Sequence, residues 1–485
     1  MNNNQFEYLR ICPLDPIEFI ERHSRATPHA WAIVHPGGGY TYQSLIEIID
    51  RVAAEFHLAG LRQGNKVSIN LSNFFFGIIS SLALARLGCT CLLGLKEGKT
   101  DAVALDASIA MDSLATGDVR QIEFRKEWLS VGRGAELAPS IPRGFKSLES
   151  IAVYTSSSGS TGQPKLIPST LARFHKTVTD SLFHKHHRPA ASPCLVSIWL
   201  GTLWSYRQIN TILWTGGTLI FGADHYSTAR QLKSFGVRQI AVSIFQLAIW
   251  AKIARKFPEY FSAVDTVTTG GSKLTPILED AVRQYITPDI YVNYGSTETG
   301  LIAAGNVDLQ RKHPNAAGVV LDTVTVEIVD SNGKVLPQGV SGAVRVRTGS
   351  MIEDSAKDGF KQGWFYTGDE GILNEDRVLS VFGRGDGVSN IGGMKIQLDD
   401  CEELLRECPG IEDTALFLVH NEFEIPELRC AFVPGKNFDE AMFSKQLAKL
   451  PSVPVTIEVG AIPRSGEGKV LRRVLEDTYK ISRAM

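Results

Sequence analysis

Helix-like and strand-like patterns alternate along most of this 485-residue chain. The stretch 41–61 has apolar residues at helical spacing and is followed by a strand-like run at 65–72. The same order, a helix and then a strand, recurs at 223–243 and again at 273–295. This alternation favours a doubly wound α/β fold, in which helices cover both faces of largely parallel sheets.

The pattern changes twice toward the C-terminus. After about Asp322 the sequence alternates between apolar and polar residues and is rich in turns, which predicts a β subdomain. From about residue 387 onward, helical and strand patterns mix in a small α+β unit. We therefore predict a domain boundary in the glycine-flanked turn at Asp386, between a large N-terminal domain (1–385) and a small, mobile C-terminal domain (386–485).

Composition argues against several classes of function. Lys and Arg total 50 against 52 Asp and Glu, so neither a nucleic-acid surface nor a polybasic membrane segment is indicated. The most apolar segment begins at Phe74 and is interrupted by Arg86, which predicts a buried helix followed by a strand. The N-terminus shows no signal-peptide pattern, and the seven scattered cysteines predict reduced thiols, so we expect a cytoplasmic protein.

The stretch YTSSSGSTGQPK, residues 154–165, is rich in hydroxyl side chains and follows a strand-like run. Glycine lets backbone N–H groups approach an anion closely, hydroxyls add donors, and Lys165 supplies a positive charge. The combination predicts a phosphate-binding loop, with an unstructured surface loop as the alternative. It is not a Walker A loop, because Gln163 and Pro164 separate Gly162 from Lys165.

Four further glycine-containing stretches follow along the chain. They are TTGGSKL (268–274), YGSTETG (294–300), GWFYTGDEG (363–371) and PRSGEGKVLRR (463–473). In this order and spacing, the five stretches resemble those of the adenylate-forming enzymes, a superfamily of acyl- and aryl-CoA synthetases, peptide-synthetase adenylation domains and beetle luciferase. The resemblance covers residues 15 to 475 and implies a reaction in two halves. A carboxylate displaces pyrophosphate from ATP to form an acyl-AMP, and a thiol then displaces AMP.

The resemblance implies nucleotide-binding roles for residues in or next to the first four of the five stretches, and for Arg384, which follows the fourth. In the phosphate loop these residues are Thr155, Ser156, Ser158, Gly159, Ser160, Thr161, Gly162 and Lys165. Elsewhere they are Gly270, Gly271, Ser272, Asn293, Tyr294, Gly295, Ser296, Asp369 and Arg384. Tyr294 is expected to stack on adenine, and Asp369 to bind both ribose hydroxyls. The polar group that many relatives place two positions before this tyrosine is Val292 here.

The catalytic residues implied by the resemblance are Lys469, Thr297 and Glu298. Thr297 contacts the α-phosphate, Glu298 binds Mg²⁺, and Lys469 bridges the attacking carboxylate and the α-phosphate. Because that lysine must withdraw before a thiol can enter, the C-terminal domain is expected to rotate about Asp386 as its hinge. Gly392 or Gly393 would then line a tunnel for the pantetheine arm of CoA or of a carrier protein.

The acyl pocket departs from the family pattern. No aspartate stands between Cys194 and Gly222 to pair with an α-ammonium group, which argues against an α-amino acid and leaves an aryl or aliphatic acid. Trp199 and Trp204 are candidates for the pocket wall, although ordinary core packing is favoured for each. The histidines of HKHHRP, at 184–189, suggest a metal site, but a solvated helix end is the favoured interpretation.

The preferred hypothesis is an ATP- and Mg²⁺-dependent acid–thiol ligase that passes the acyl group to CoA. The open alternatives are a stand-alone acyl-AMP ligase that loads a carrier protein, a luciferase-like oxidase, and an inactive nucleotide-binding scaffold. A small carboxylic acid and the thiol acceptor are the expected partners, and neither nucleic acid nor membrane is expected. The acid itself and the oligomeric state stay open.

Overall fold

A computed structural model describes most of the chain. The described residues are 8–94, 103–111, 119–130, 138–157, 165–184, 192–222, 224–352, 359–384, 389–391, 394–406, 408–450, 452–465 and 470–480. They form four sheets flanked by helices, and the predicted α/β class is confirmed.

The helices of the described residues lie mainly between the strands of the two large sheets. They are α1 (Glu18–Ala26), α2 (Tyr42–Leu58), α3 (Phe74–Arg86), α4 (Leu171–Phe183), α5 (Leu203–Trp214), α6 (His225–Ser234), α7 (Ile244–Lys256), α8 (Pro276–Tyr285), α9 (Leu309–Lys312), α10 (Leu398–Arg406), α11 (Glu440–Leu447) and α12 (Arg472–Thr478). Short 3₁₀ helices cover Lys126–Leu129 and Pro258–Tyr260.

The strands that follow a helix include those predicted at 65–72, 238–244 and 289–295, within a longer series of strands. They are β1 (Trp31–His35), β2 (Gly38–Thr41), β3 (Lys66–Asn70), β4 (Thr90–Leu93), β5 (Ala107–Ala110), β6 (Arg120–Glu123), β7 (Ile151–Ser157), β8 (Lys165–Thr170), β9 (Cys194–Ser197), β10 (Leu219–Ile220), β11 (Gln239–Ser243), β12 (Thr266–Gly270), β13 (Ile290–Ser296), β14 (Gly300–Asn306), β15 (Ala316–Val320), β16 (Val324–Val329), β17 (Gly342–Thr348), β18 (Phe360–Lys361), β19 (Trp364–Leu373), β20 (Val378–Arg384), β21 (Ser389–Ile391), β22 (Met394–Ile396), β23 (Ile411–His420), β24 (Pro426–Pro434) and β25 (Val455–Glu458).

Side-chain caps explain where several helices begin. The Thr41 side chain accepts a hydrogen bond from Ser44 N at the start of α2, and Gly60 follows that helix with a φ of 94°. Asp224 and Ser227 form a reciprocal capping box at α6. Such caps satisfy N–H groups that have no partner inside the helix. The helix boundaries are therefore local properties of the sequence.

The two large sheets bring their strand ends toward a common cleft. One sheet has six strands in the order β6-β5-β3-β4-β7-β8, all parallel except β8. The other has fourteen strands, and its parallel part runs β13-β12-β11-β9-β10-β1. In open α/β sheets ligands bind beyond the carboxyl ends of the strands, which here are the ends of β7, β12 and β13.

The β subdomain continues the large sheet. Strands β14, β15, β20, β19, β17 and β16 extend it from β13 through antiparallel pairs. The antiparallel region thus begins at Gly300, earlier than the change in sequence pattern near Asp322. The short apolar stretch of β14 resembles a buried parallel strand, so its direction was not evident from the sequence.

Residues 389–480 have hydrophobic clusters of their own around β23, β24 and α10. This C-terminal unit also touches the rest of the chain, because Phe423 and Ile425 pack in the core beside Leu274 and Leu278. The Thr275 hydroxyl donates to the Phe423 carbonyl over 2.7 Å. The boundary at Asp386 lies outside the described residues and stays a prediction.

Several predictions about buried segments are confirmed. Phe74 begins the buried helix α3, and strand β4 follows it. None of the seven cysteines forms a disulfide, and Cys89 and Cys91 are core residues whose thiol pKa is raised to about 12 by burial. Within the described ranges, no helix combines the length and the apolar character needed to cross a membrane.

Candidate active site

A cleft of about 2150 Å³ opens at the carboxyl ends of β7, β12 and β13. It collects most of the nucleotide-binding and catalytic residues predicted from the sequence. Those that line it are Ser156, Gly270, Gly271, Ser272, Asn293, Tyr294, Gly295, Ser296, Thr297, Glu298 and Asp369. These residues therefore meet in one cleft, although their individual roles stay predictions.

The stem of the Ser/Gly loop is an antiparallel hairpin formed by β7 and β8. Ser157 pairs with Lys165, and Ser156 pairs with Leu166. Backbone N of Ser156 donates to the Gly201 carbonyl over 3.0 Å, which fixes the stem against the segment that precedes α5. Thr155 is fully buried behind the cleft, so its side chain packs in the stem.

Several predicted residues cannot be placed. Ser158, Gly159, Ser160, Thr161, Gly162, Asp386, Gly392, Gly393 and Lys469 lie outside the described residues. The backbone of Lys165 is described in β8, and Arg384 pairs with Asp369 in the β20–β19 ladder.

Two adjacent glycines form the wall at the end of β12. A Cβ atom on Gly270 would stand 2.5 Å from the Asn293 carbonyl oxygen, so only glycine fits where β12 packs on β13. Gly271 has a φ of 88°, which disfavours other residues. The backbone therefore turns sharply here and leaves the Gly271 carbonyl and the Ser272 hydroxyl facing the cleft.

The turn between β13 and β14 presents Thr297 and Glu298. Ser296 and Thr299 brace this turn, because the Ser296 hydroxyl accepts from Thr299 N at 3.3 Å and lies 3.0 Å from the Thr299 hydroxyl. Thr297 and Glu298 are half-buried and line the cleft. The Glu298 carboxylate forms no ion pair with any described residue, so it is available to a ligand or a cation.

Tyr294 and Asp369 come together across the cleft from β13 and β19. The tyrosine hydroxyl donates to Oδ2 of Asp369 over 2.5 Å. Backbone N of Asp369 donates in turn to the Thr367 hydroxyl over 3.1 Å, which helps to hold this residue in position. An aromatic ring and an oriented carboxylate thus stand side by side, a suitable pair for a base and a sugar.

Arg173, in the first turn of α4, is a site residue that sequence reasoning missed. Its guanidinium donates to the carbonyl of Thr297 over 2.6 Å, to that of Glu298 over 3.2 Å and to that of Ser350 over 2.5 Å. It also donates to the Pro168 carbonyl over 3.0 Å and to the Ser169 hydroxyl. Burial lowers the pKa of Arg173 to about 10, so it stays charged at neutral pH.

The position of Arg173 in the first turn of α4 could have indicated its role from the sequence. A cation in the first turn of a helix opposes the helix dipole, so an arginine there indicates acceptors elsewhere in the fold. These acceptors belong to the Thr297–Glu298 turn, to β8 and to Ser350, which follows β17. The guanidinium therefore joins the stem of the predicted phosphate loop to the turn that carries the predicted Mg²⁺ ligand.

Asn390, on β21, brings the C-terminal unit into the cleft. Its Nδ2 donates to the Gly271 carbonyl over 2.8 Å, and its Oδ1 accepts from the Ser272 hydroxyl over 3.1 Å. Sequence reasoning placed the nearby Gly392 or Gly393 at a thiol tunnel but did not single out Asn390. Its side-chain amide thus forms hydrogen bonds with the Gly271 carbonyl as acceptor and with the Ser272 hydroxyl as donor.

Two expectations about side chains near the cleft are wrong. Trp199 is 53 % exposed and lies close to Gly94 and Gly201 at the cleft wall, so it is not a core residue. Trp204 does pack against the core, as expected, and also lines the cleft. His184 is buried because the chain leaves α4 in an extended conformation there, so it is not a solvated helix end. Residues 185–189 lie outside the described part of the chain.

No metal-binding cluster of three or more His, Cys, Asp or Glu residues exists among the described residues. A cation at Glu298 would therefore depend on oxygen atoms of a bound phosphate as well as on this carboxylate. Such a site suits Mg²⁺, which usually takes one or two carboxylates together with substrate phosphates. The residues present thus fit the predicted metal.

The fold and the cleft define an α/β enzyme whose ligand site lies at the carboxyl ends of parallel strands. A sequence profile of the family described as AMP-binding enzyme matches residues 95–353, more than half of the chain. The chain belongs to this family and thus to the adenylate-forming superfamily.

Relatives and solved structures agree with this assignment. The chain is 24% identical to the vibriobactin-specific 2,3-dihydroxybenzoate-AMP ligase of Vibrio cholerae, over 96% of the chain and 93% of that protein. It is 27% identical to 4-coumarate–CoA ligase 2 of Nicotiana tabacum, over 66% of the chain and 64% of that protein. A double mutant of Bacillus subtilis o-succinylbenzoate CoA synthetase, bound to a product analogue, superposes with a TM-score of 0.76 at 18% identity. That superposition covers 95% of this chain and 98% of the other, and it supports the fold.

Proposed function

We propose that the protein is an ATP-dependent acid–thiol ligase. A carboxylate oxygen of the acid attacks the α-phosphorus of ATP, the bond to pyrophosphate breaks, and an acyl-AMP forms. A thiolate then attacks the acyl carbon, and AMP leaves with the electron pair of the broken bond. The observation that supports this most is the convergence of the Tyr294–Asp369 pair, the Thr297–Glu298 turn and the stem of the Ser/Gly loop in one cleft.

In the first half-reaction, the protein brings the carboxylate of the acid to the triphosphate of ATP. Positioning of these two anions and neutralisation of their charge therefore dominate the activation barrier. We assign adenine to the face of Tyr294 and the ribose hydroxyls to Asp369. The Thr297 hydroxyl donates to the α-phosphate, and residues 158–165 surround the β- and γ-phosphates. Mg²⁺, held by Glu298, supplies charge neutralisation.

The second half-reaction is proposed to use the arrangement described here. Asn390 contacts the wall at Gly271 and Ser272, so the segment that carries Gly392 and Gly393 begins at the cleft. Arg464 and Val470 are described residues close to Lys469 in the chain. They form an antiparallel β-bridge with each other, and neither lines the cleft. We propose that Lys469 withdraws before the thiol enters, by rotation of the C-terminal domain about Asp386.

The acid is proposed to be an aryl or aliphatic carboxylic acid. The cleft wall near α5 is largely apolar and includes Leu200, Leu203 and Trp204. No aspartate occurs between Cys194 and Gly222 to hold an α-ammonium group. CoA is the proposed acceptor. A carrier protein is the second candidate, since a relative matched over 96% of the chain is named an AMP ligase and not a CoA ligase.

The test is ATP–pyrophosphate exchange with a broad panel of aliphatic and aryl acids, followed by mass spectrometry of CoA and of a carrier protein incubated with the enzyme. Exchange with at least one acid, and its loss in Lys469→Ala with Mg-ATP binding retained, is the expected result. Binding of Mg-ATP without exchange for any acid would instead favour a nucleotide-binding scaffold. Oxygen uptake that accompanies exchange would favour a luciferase-like oxidase.

A further inference from the structure

Four arginines are buried among the described residues, and three of them have clear partners. Arg51 donates to two backbone carbonyls, and Arg173 donates to four carbonyls and a hydroxyl. Arg86 makes ion pairs with the carboxylates of Asp15, Glu21 and Asp50. These pairings follow the general rule that a buried charge must be compensated.

Arg207, in the second turn of α5, is the exception. Its side chain is 4% exposed, and its guanidinium makes no hydrogen bond or ion pair with any described residue. Burial lowers its pKa to about 10, and no neighbouring carboxylate counteracts this shift, yet the group stays protonated at neutral pH. The described part of the fold therefore holds a buried cation without a partner, a costly arrangement unless a ligand compensates the charge.

The position of Arg207 indicates where such a ligand would come from. Arg207 follows Leu203 by four residues, so the two lie on one face of α5, and both line the cleft together with Trp204. The Trp204 Nε1 atom is also buried without a hydrogen-bond partner among the described residues. An otherwise apolar wall thus offers a cation and a further donor to whatever enters.

The nucleotide is a poor candidate for this ligand. Its proposed contacts are Tyr294, Asp369 and the Thr297–Glu298 turn, which lie on β13, β19 and the β13–β14 connection. Arg207 instead lies on the helix that follows the segment 197–202, the proposed wall of the acyl pocket. A group attached to the acid would therefore reach it.

We propose that Arg207 selects acids that carry a second anionic group, a carboxylate in the simplest case, away from the carboxylate that is adenylated. This inference rests on the proposed function. An arginine binds a carboxylate through two parallel hydrogen bonds. An acid without the second anion would leave the buried guanidinium unpaired, and sites of this kind reject such analogues strongly.

The test compares dicarboxylic acids with their own monomethyl esters in ATP–pyrophosphate exchange. The series contains α,ω-diacids from succinate to suberate and the three benzenedicarboxylates, since the distance between the two anionic sites is not specified. For the best diacid, we expect kcat/KM to exceed that of its ester by about a hundredfold or more. Esters that react as well as the diacids would overturn the proposal.

Arg207→Met removes the charge and keeps much of the volume. We expect it to lower kcat/KM for the best diacid by roughly a hundredfold and to leave the ester unchanged or improved, with Arg207→Lys between the two. An equal loss for diacid and ester would assign Arg207 to the reacting carboxylate. A loss of Mg-ATP affinity, measured by calorimetry, would assign it to the nucleotide. Either result contradicts the proposal.

The control variant is Gln208→Met, at the adjacent buried position of α5, which does not line the cleft. It should retain the preference for the diacid. Thermal unfolding will show whether Arg207→Met folds, and if it does not, the wild-type comparison of diacid and ester still decides. If the enzyme catalyses ATP–pyrophosphate exchange with other acids but with no acid of this series, the proposed role of Arg207 is overturned and the proposed function is retained. Absence of exchange with every acid would remove the proposed function as well.

Discussion

The Tyr294 hydroxyl donates a 2.5 Å hydrogen bond to Oδ2 of Asp369, although the two residues are 75 positions apart in the chain. The bond joins β13 to β19 across the cleft. The second carboxylate oxygen of Asp369 has no hydrogen bond to a described residue, so it can accept from a ribose hydroxyl. This hydrogen bond therefore links the residue proposed to stack on adenine to the residue proposed to bind the ribose.

Tyr294→Phe should weaken nucleotide binding because it frees the Asp369 carboxylate to rotate. A hydrogen bond to a charged group contributes about 1.5 kcal/mol or more, so the Kd for Mg-ATP should rise about tenfold. Asp369→Ala should weaken binding further. Isothermal titration calorimetry measures both. The control is Tyr291→Phe on the same strand, outside the cleft, and an equal effect of this variant would count against the coupling.

Arg173→Met should both destabilise the protein and impair adenylation. The change leaves the carbonyls of Thr297 and Ser350 without the donor they have here, while the Glu298 carbonyl still accepts from Ile352 N, and it should cost about 3–5 kcal/mol of unfolding free energy. Adenylation should fall because the turn that presents Thr297 loses its support. Urea unfolding and exchange kinetics measure the two effects.

The matched control for this prediction is Lys176→Met, one turn further along α4. Lys176 makes a part-exposed 3.0 Å ion pair with Asp180, so its loss should change stability by about 0.5 kcal/mol or less. Arg173→Lys should retain part of the activity, since one cation can still reach some of the carbonyls. If Arg173→Met kept full exchange activity, Arg173 would not position the turn.

His175 predicts a loss of stability in mild acid. The imidazole is buried between Phe19 and Trp214, and neither ring nitrogen has a partner among the described residues. Burial lowers its pKa from 6.5 to about 4. Above pH 6.5 the histidine is neutral in both states. As the pH falls from 6.5 toward 4, only the unfolded chain gains the proton, so folding loses stability.

His175→Phe should remove this contribution. Relative to the wild type, the variant should gain about 3 kcal/mol as the pH falls from 7 to 4, because each pKa unit corresponds to about 1.36 kcal/mol. Urea unfolding at several pH values measures the difference between the two proteins. A difference that does not change with pH would show that His175 is protonated in the folded state.

Phe423→Ala should separate the two proposed half-reactions. Phe423 is buried in the core beside Leu274 and Leu278, so its loss should weaken docking of the C-terminal unit in the arrangement described here. If this arrangement serves thiol transfer, acyl-AMP formation should persist while thioester formation from preformed acyl-AMP falls about tenfold. Single-turnover kinetics of each half-reaction provide the measurement.

Glu422→Gln is a milder change at the same contact between the C-terminal unit and the rest of the chain. Glu422 pairs with Lys252 at 3.1 Å and with Arg255 at 3.2 Å, and all three side chains are partly exposed. Exposed ion pairs contribute about 0–1 kcal/mol, so the effect should point in the same direction and be smaller. Equal losses in both half-reactions of Phe423→Ala would argue that the contact supports only the fold.

The sequence by itself determined the features that depend on neighbouring residues. The start of α2 at Thr41, its end before Gly60 and the buried helix from Phe74 follow from capping, glycine geometry and periodicity. The order of the glycine-rich stretches was sufficient to indicate the superfamily. These signals are local, so they survive without knowledge of the fold.

Only the tertiary structure decided which distant groups become partners. The Thr297, Glu298 and Ser350 carbonyls that accept from Arg173 lie more than a hundred residues away in the chain, and Asn390 contacts Gly271 across a similar separation. The same holds for Arg207, which has no partner among the described residues, and for the exposure of Trp199. A side chain's periodicity predicts which face it lies on, but its partner depends on how sheets and domains pack, and no local pattern encodes that.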